Sequence, residues 1–179
     1  RTTGSSNVRL TTLLSEAAGI NITGPVYSEQ YVHDLARESA NGNPRRGSMV
    51  FQRAGCIACH QVNSATNSRI PFIGPDLSTI GNTLSTERII EEVLWPGRHV
   101  KEGFNLVQVT TEAGVIHQGY EQNSRLKDVF LRPLGLTETI RIPRDQIRTH
   151  EHTGSAMPTG LTAGLKQEEL RDLIHFLTE

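Results

Sequence analysis

The side chains best suited to chemistry in this 179-residue chain are two cysteines, Cys56 and Cys59, and the residue that follows them, His60. Two thiols three positions apart suit attachment to the two vinyl groups of a haem, with the adjacent imidazole left to bind the iron. Other chemistries use the same residue types. A thioredoxin-like redox dithiol wants a βαβ context, and no strand is expected before Cys56. A zinc site needs two further ligands; His150 or His152 could supply one, but that pair is too closely spaced for a finger. A chance occurrence is the remaining alternative. The order of the three residues favours haem attachment.

Haem iron has one more axial position, and the group that fills it separates electron transfer from gas or peroxide chemistry. The chain has two methionines, Met49 and Met157. Met49 falls on the helix expected just before Cys56, on the same side of the chain as His60. Met157 lies between Gly154 and Gly160, where the Met157-Pro158 pair stiffens an irregular stretch. A thioether there is a soft, neutral donor that raises the reduction potential relative to two histidines. His150 or His152 in that place, or an open position, are the alternatives. A labile sixth site would suit a gas sensor or peroxidase-like domain. His33, His99, His117 and His175 occur singly and read as surface or packing residues.

These groups need a scaffold. Asn43-Pro44 reads as a helix start, with a helix to Ala54 whose Gly47, Val50, Phe51 and Ala54 form one stripe ahead of the cysteines. Ile73 to Leu77 contains a Gly-Pro turn. A second helix is expected from Thr86 to Trp95, capped by Ser85 and stopped by Pro96, and a last one from Lys166 to Leu177. Between Gly103 and Ile147 the helical period gives way to clusters of β-branched residues. Phe104 to Thr111 and Val115 to Tyr120 read as a hairpin, and Asp128 to Arg132 with Thr139 to Ile142 as a second pair. Arg9 to Ala18 and Ser28 to Ala40 are candidate amphipathic helices.

Composition excludes some partners. The formal net charge of -1 suits no nucleic-acid binder, and no apolar stretch is long enough for a membrane span. The first residue, Arg1, leaves room for a leader or upstream domain before it.

With Gly47 to Phe51 leading into Cys56 to His60, then Gly74-Pro75-Asp76-Leu77, Trp95-Pro96, Ser155 to Pro158 and Glu169 to Leu177, the chain resembles a class I c-type cytochrome domain. More narrowly it is similar to the haem-binding domain common in exported proteins of planctomycetes and verrucomicrobia. The resemblance covers Asn43 to Glu179. It implies a mainly α fold, a cytochrome c-like helical haem domain at 43–179. A small antiparallel β insertion at about 103–147 would precede the distal-ligand loop, and a helical arm or linker would occupy 1–42.

It further implies one covalently attached haem c, held by Cys56 and Cys59, with His60 and Met157 as iron ligands. The Pro75 carbonyl would accept the His60 Nδ1 proton. Gly47 would allow a close helix crossing that Phe51 and Phe176 seal. Arg69, Arg88, Arg98 and Trp95 lie in segments that would line the propionate edge. The expected role is that of a monohaem electron carrier between redox partner proteins, among them possible dehydrogenase domains, rather than an enzyme. Bacterial thioether formation on such proteins places it in the periplasm or otherwise outside the cytoplasm.

Overall fold

The computed structural model describes residues 27–62 and 73–179; the helix expected over 9–18, and Arg69, lie outside them. Each main helix begins where a polar side chain meets its free N–H groups. Helix α1 (Glu29–Ser39) is capped by Ser28 through the Tyr31 N–H. In α2 (Pro44–Arg53), Asn43 Oδ1 accepts the Arg46 N–H at 3.1 Å, and Pro44 occupies a first-turn position where its missing N–H costs nothing. A short α3 (Ile80–Thr83) precedes α4 (Thr86–Leu94), which Ser85 caps. At the start of α5 (Gln167–Thr178), the Glu169 carboxylate accepts the Lys166 N–H at 2.9 Å. Among the described residues, no helix is long and apolar enough to cross a membrane.

The inward stripes of these helices form one apolar core. Val50 and Phe51 of α2, Ile89, Ile90 and Leu94 of α4, and Leu170, Leu173, Ile174 and Leu177 of α5 are all buried there. Helix α1 joins it with Val32 and Leu35, so the end of the segment expected as an arm packs on the core. Each such side chain contributes about 1.5–3 kcal/mol when fully buried.

The α2–α5 crossing is the tightest contact between helices. A Cβ added to Gly47 would lie 2.0 Å from the Asp172 carbonyl oxygen and 2.7 Å from Phe176 Cβ, so only glycine permits the observed separation. Phe51 and Phe176 flank the crossing with ring centroids 5.7 Å apart. Asp172, almost fully buried on α5, accepts the Asn43 N–H at 2.7 Å and the Arg46 Nε at 2.7 Å. Burial opposes its ionised form. The Arg46 guanidinium and the Asn43 N–H outweigh that effect and hold the carboxyl below its ordinary pKa.

The expectation of a mainly α, cytochrome c-like helical domain does not hold. Helix accounts for 36% and strand for 20% of the described residues, and the strands form a five-stranded antiparallel sheet. The strands are β1 (Leu106–Thr111), β2 (Ile116–Glu121), β3 (Asp128–Arg132), β4 (Ile140–Pro143) and β5 (Ile147–Gly154), in the order β4-β3-β2-β1-β5. Four of them match the two expected hairpins. The fifth extends the sheet past the expected boundary at 147 and pairs with β1 from Leu106↔Gly154 to Thr111↔Ile147. Its sequence, IRTHEHTG, has period-two β-branched residues but almost no apolar ones, because it is an edge strand with one partner. Hydrophobic alternation therefore does not reveal it.

The sheet has its own core, made of Val107, Val109, Val129, Leu131 and Ile142, with Ile147 against it. Its opposite face carries buried Leu106 and Tyr120, which oppose each other across β1 and β2. The architecture is thus α+β, with one core among the helices and a separate one on the sheet.

Two outcomes follow. Because the Asp172 carboxyl titrates lower in the folded chain than in the unfolded one, its contribution is complete above the ordinary carboxylate pKa and fades as pH falls through that range toward the lower folded value. Urea unfolding of Asp172→Asn should show a loss of about 2 kcal/mol at pH 7 and a deficit that shrinks steadily as the pH is lowered through the acid range. A deficit that stays constant with pH would contradict the assigned hydrogen bonds.

Candidate functional site

Helix α2 ends just before the cysteines, and Gly55 turns the chain with φ 80°, a left-handed conformation that suits glycine. The following turn is compact. Cys59 N–H donates to the Cys56 carbonyl at 3.1 Å and His60 N–H to the same oxygen at 2.9 Å. Three chemically active side chains are thereby set at one place. The thiols of Cys56 and Cys59 are free of any disulfide. Burial pushes the Cys56 thiol up from its ordinary pKa, with the neighbouring Cys59 acting in the same direction.

A strap formed by Ile73 to Leu77 holds the imidazole. It is tied to the cysteine segment by Gly74 N–H to Cys59 O at 2.8 Å and Leu77 N–H to Gln61 O at 2.8 Å. Between these ties, His60 Nδ1 lies 2.9 Å from Pro75 O. A carbonyl oxygen can only accept, so Nδ1 carries the proton and Nε2 keeps its lone pair. Burial is the larger influence on this ring and lowers its pKa, which favours the neutral form; the Pro75 contact pulls the other way.

Gly74 fixes the ring sterically. A Cβ there would sit 2.4 Å from His60 Cε1 and 2.6 Å from Nδ1, so the strap lies flat against the imidazole only because this residue has no side chain. The sheet secures the strap from its other side, as Tyr120 Oη donates to Ile73 O at 2.8 Å. Burial raises the Tyr120 pKa, with nearby Arg132 opposing the shift, so the hydroxyl keeps the proton it donates. Arg132 lies over the Tyr120 ring at 5.0 Å, and Phe104 packs 5.4 Å from it edge to face.

These elements surround a cavity of about 560 Å³. Cys56, Cys59, His60 and Pro75 line one part of it, and Met157 reaches it from the loop between β5 and α5. Much of the remaining wall is apolar, including Leu77, Ile80, Ile89, Val93 and Leu165. All five residues singled out from the sequence as cofactor-binding therefore meet at one cavity. Met49, by contrast, is 61% exposed on α2 and does not line it. His150 and His152 lie on β5, also outside the cavity.

The cationic rim differs from expectation. Arg88 lines the cavity, but its guanidinium is held by Glu92 at 2.9 Å and Glu91 at 3.5 Å. Arg98 pairs with Glu29 at 2.7 Å, stacks over Trp95, and ties α1 to α4; neither Arg98 nor Trp95 lines the cavity. His99 and Lys101 do line it, on the turn after α4. Sequence reasoning missed Lys101 and did not assign Tyr120 or Gly74 a role. Gly74 carried a usable signal, its position directly before Pro75 and opposite a histidine that needs orienting. Tyr120 carried none without the sheet register.

Neither a scan against protein-family models nor a search of curated proteins finds a match to this chain.

The steric role of Gly74 is open to direct test. Gly74→Ala should displace the His60 ring and break its Nδ1–H bond to Pro75, costing about 1–3 kcal/mol in urea unfolding. The slowly exchanging imidazole proton expected by NMR in the parent should disappear. An unchanged imidazole resonance would contradict the contact.

Proposed function

We propose that this chain holds one haem covalently through Cys56 and Cys59 and carries single electrons between redox partner proteins outside the cytoplasm. The observation that supports the reading is the convergence of Cys56, Cys59, His60 and Met157 on one largely apolar cavity. A volume of about 560 Å³ falls in the range of pockets that enclose large ligands. The donor set also fits: two thiols for attachment, one neutral imidazole nitrogen and one thioether sulfur.

Haem, when bound there, supplies a one-electron iron couple. The chain's own residues do the rest. The cysteines retain the group even with an open edge. Pro75 and Gly74 fix the His60 tautomer and ring plane, so Nε2 is presented without reorientation. Met157, on a loop whose backbone is fixed by Pro158 and by the Met157 N–H to Ser155 Oγ at 3.1 Å, offers a weak ligand at a defined place. Apolar walls exclude water and favour the iron state of lower charge. His60 Nε2 and the Met157 sulfur would be the two protein atoms that hold the iron. On this reading the protein is a carrier rather than an enzyme, and the bacterial periplasm is the compartment where such attachment takes place.

The oxidised protein should show a weak methionine-sulfur-to-iron charge-transfer band at the red edge of its spectrum. Met157→Ala should abolish the band and gain carbon monoxide affinity. A haem-loaded protein in which Met157→Ala changes neither property would contradict Met157 ligation and restore the sensor or peroxidase-like reading.

A further inference from the structure

A second group of ligand-type side chains sits in the sheet, apart from the cavity. The β1–β5 ladder opposes Val109 to His150 and Val107 to His152, and the β2–β3 ladder opposes Glu121 to Leu131. Opposed residues in an antiparallel ladder share a face. Val107, Val109 and Leu131 all belong to the sheet core, so the two imidazoles and the carboxylate project on the core face. One ligand atom from each of Glu121, His150 and His152 lies within 4.8 Å of the other two. His150 Nε2 is 3.1 Å from Glu121 Oε2 and the rings of His150 and His152 are 5.3 Å apart.

The contact between His150 and Glu121 is not an ordinary hydrogen bond. His150 Nε2 is buried and makes no hydrogen bond of good geometry, although the Glu121 carboxylate oxygen lies at ion-pair distance, 3.1 Å away. A buried nitrogen left in that condition costs about 1–3 kcal/mol. Two donor atoms converging without bonding to each other fit a shared third atom between them. Zinc, at about 2.0–2.2 Å from each ligand, spaces tetrahedral ligand atoms at roughly 3.3 Å. Glu121 and His150 are already close to that separation, and a ring nitrogen of the exposed His152 lies within 4.8 Å of both.

We propose that Glu121, His150 and His152 form a site for a borderline divalent transition ion of the zinc class, with water completing the shell. Two imidazoles and one carboxylate select such an ion over calcium or magnesium, which prefer oxygen alone. The exposed edge of β5 gives the ion a way in. Once bound, it would link β2 to β5 across β1 and so brace the strand that ends at Gly154, just before the Met157 loop.

Calorimetric titration of Zn(II) into the full chain, dialysed free of divalent ions, tests the site without depending on haem. One ion per chain is expected, with binding weakened at least about tenfold in both His152→Ala and Glu121→Gln. The Cys56→Ser/Cys59→Ser variant should bind zinc as the parent does. Because His152 is exposed, its replacement leaves the sheet packed, which far-ultraviolet circular dichroism verifies. The proposal is overturned if the parent binds no zinc, if His152→Ala binds as tightly as the parent, or if binding disappears with the two cysteines.

Discussion

The α2–α5 crossing at Gly47 is the constraint on which the rest of the arrangement depends. Backbone meets backbone there, leaving no space for even one added carbon. That approach seats Phe51 against Phe176 and brings the buried Asp172 to the Asn43 N–H and the Arg46 guanidinium at the start of α2. The end of α2 is consequently fixed relative to the core. Since Cys56 follows only a few residues later, the crossing sets where the cysteine turn begins, and the packing of Cys56 on the helical core adds to it.

From that fixed end, the site is assembled by short ties between segments distant in sequence. The strap at Ile73 to Leu77 is bound to the cysteine turn by two backbone hydrogen bonds and to the sheet by Tyr120. Each tie is individually modest, about 1 kcal/mol net. Together they hold the His60 ring in one orientation, with Gly74 against its face and Pro75 O at Nδ1. The sheet is therefore part of the site's support and no mere appendage to a helical domain. One of its faces supplies Tyr120 to the cavity, while the other carries a separate core and, beside it, the Glu121, His150 and His152 group.

Much of the helical half was legible in the sequence because its signals are local. Asn43-Pro44 and Ser85 mark helix starts through side chains that reach their own first turns, and the stripes of α2, α4 and α5 repeat at helical spacing. Of the five residues gathered at the cavity, Cys56, Cys59 and His60 were found from their spacing, whereas Pro75 and Met157 were assigned through the resemblance to a c-type cytochrome domain. What stayed hidden depends on non-local pairing. Strand β5 is polar and has a single neighbour, so hydrophobic alternation could not announce it, and with it went the true extent of the sheet and the fold class. The pairing of Arg98 with Glu29 was hidden for the same reason: it reflects where α1 docks, which local periodicity does not encode.

The central claim is that the cysteine turn and the cavity beside it hold a covalent haem. Intact mass measured under denaturing conditions, on protein produced with a bacterial cytochrome maturation system, tests this most directly. The account predicts the mass of the chain plus one haem, retained after acid–organic extraction, and loss of that increment in Cys56→Ser/Cys59→Ser. A chain that emerges from the same system at its unmodified mass would contradict it.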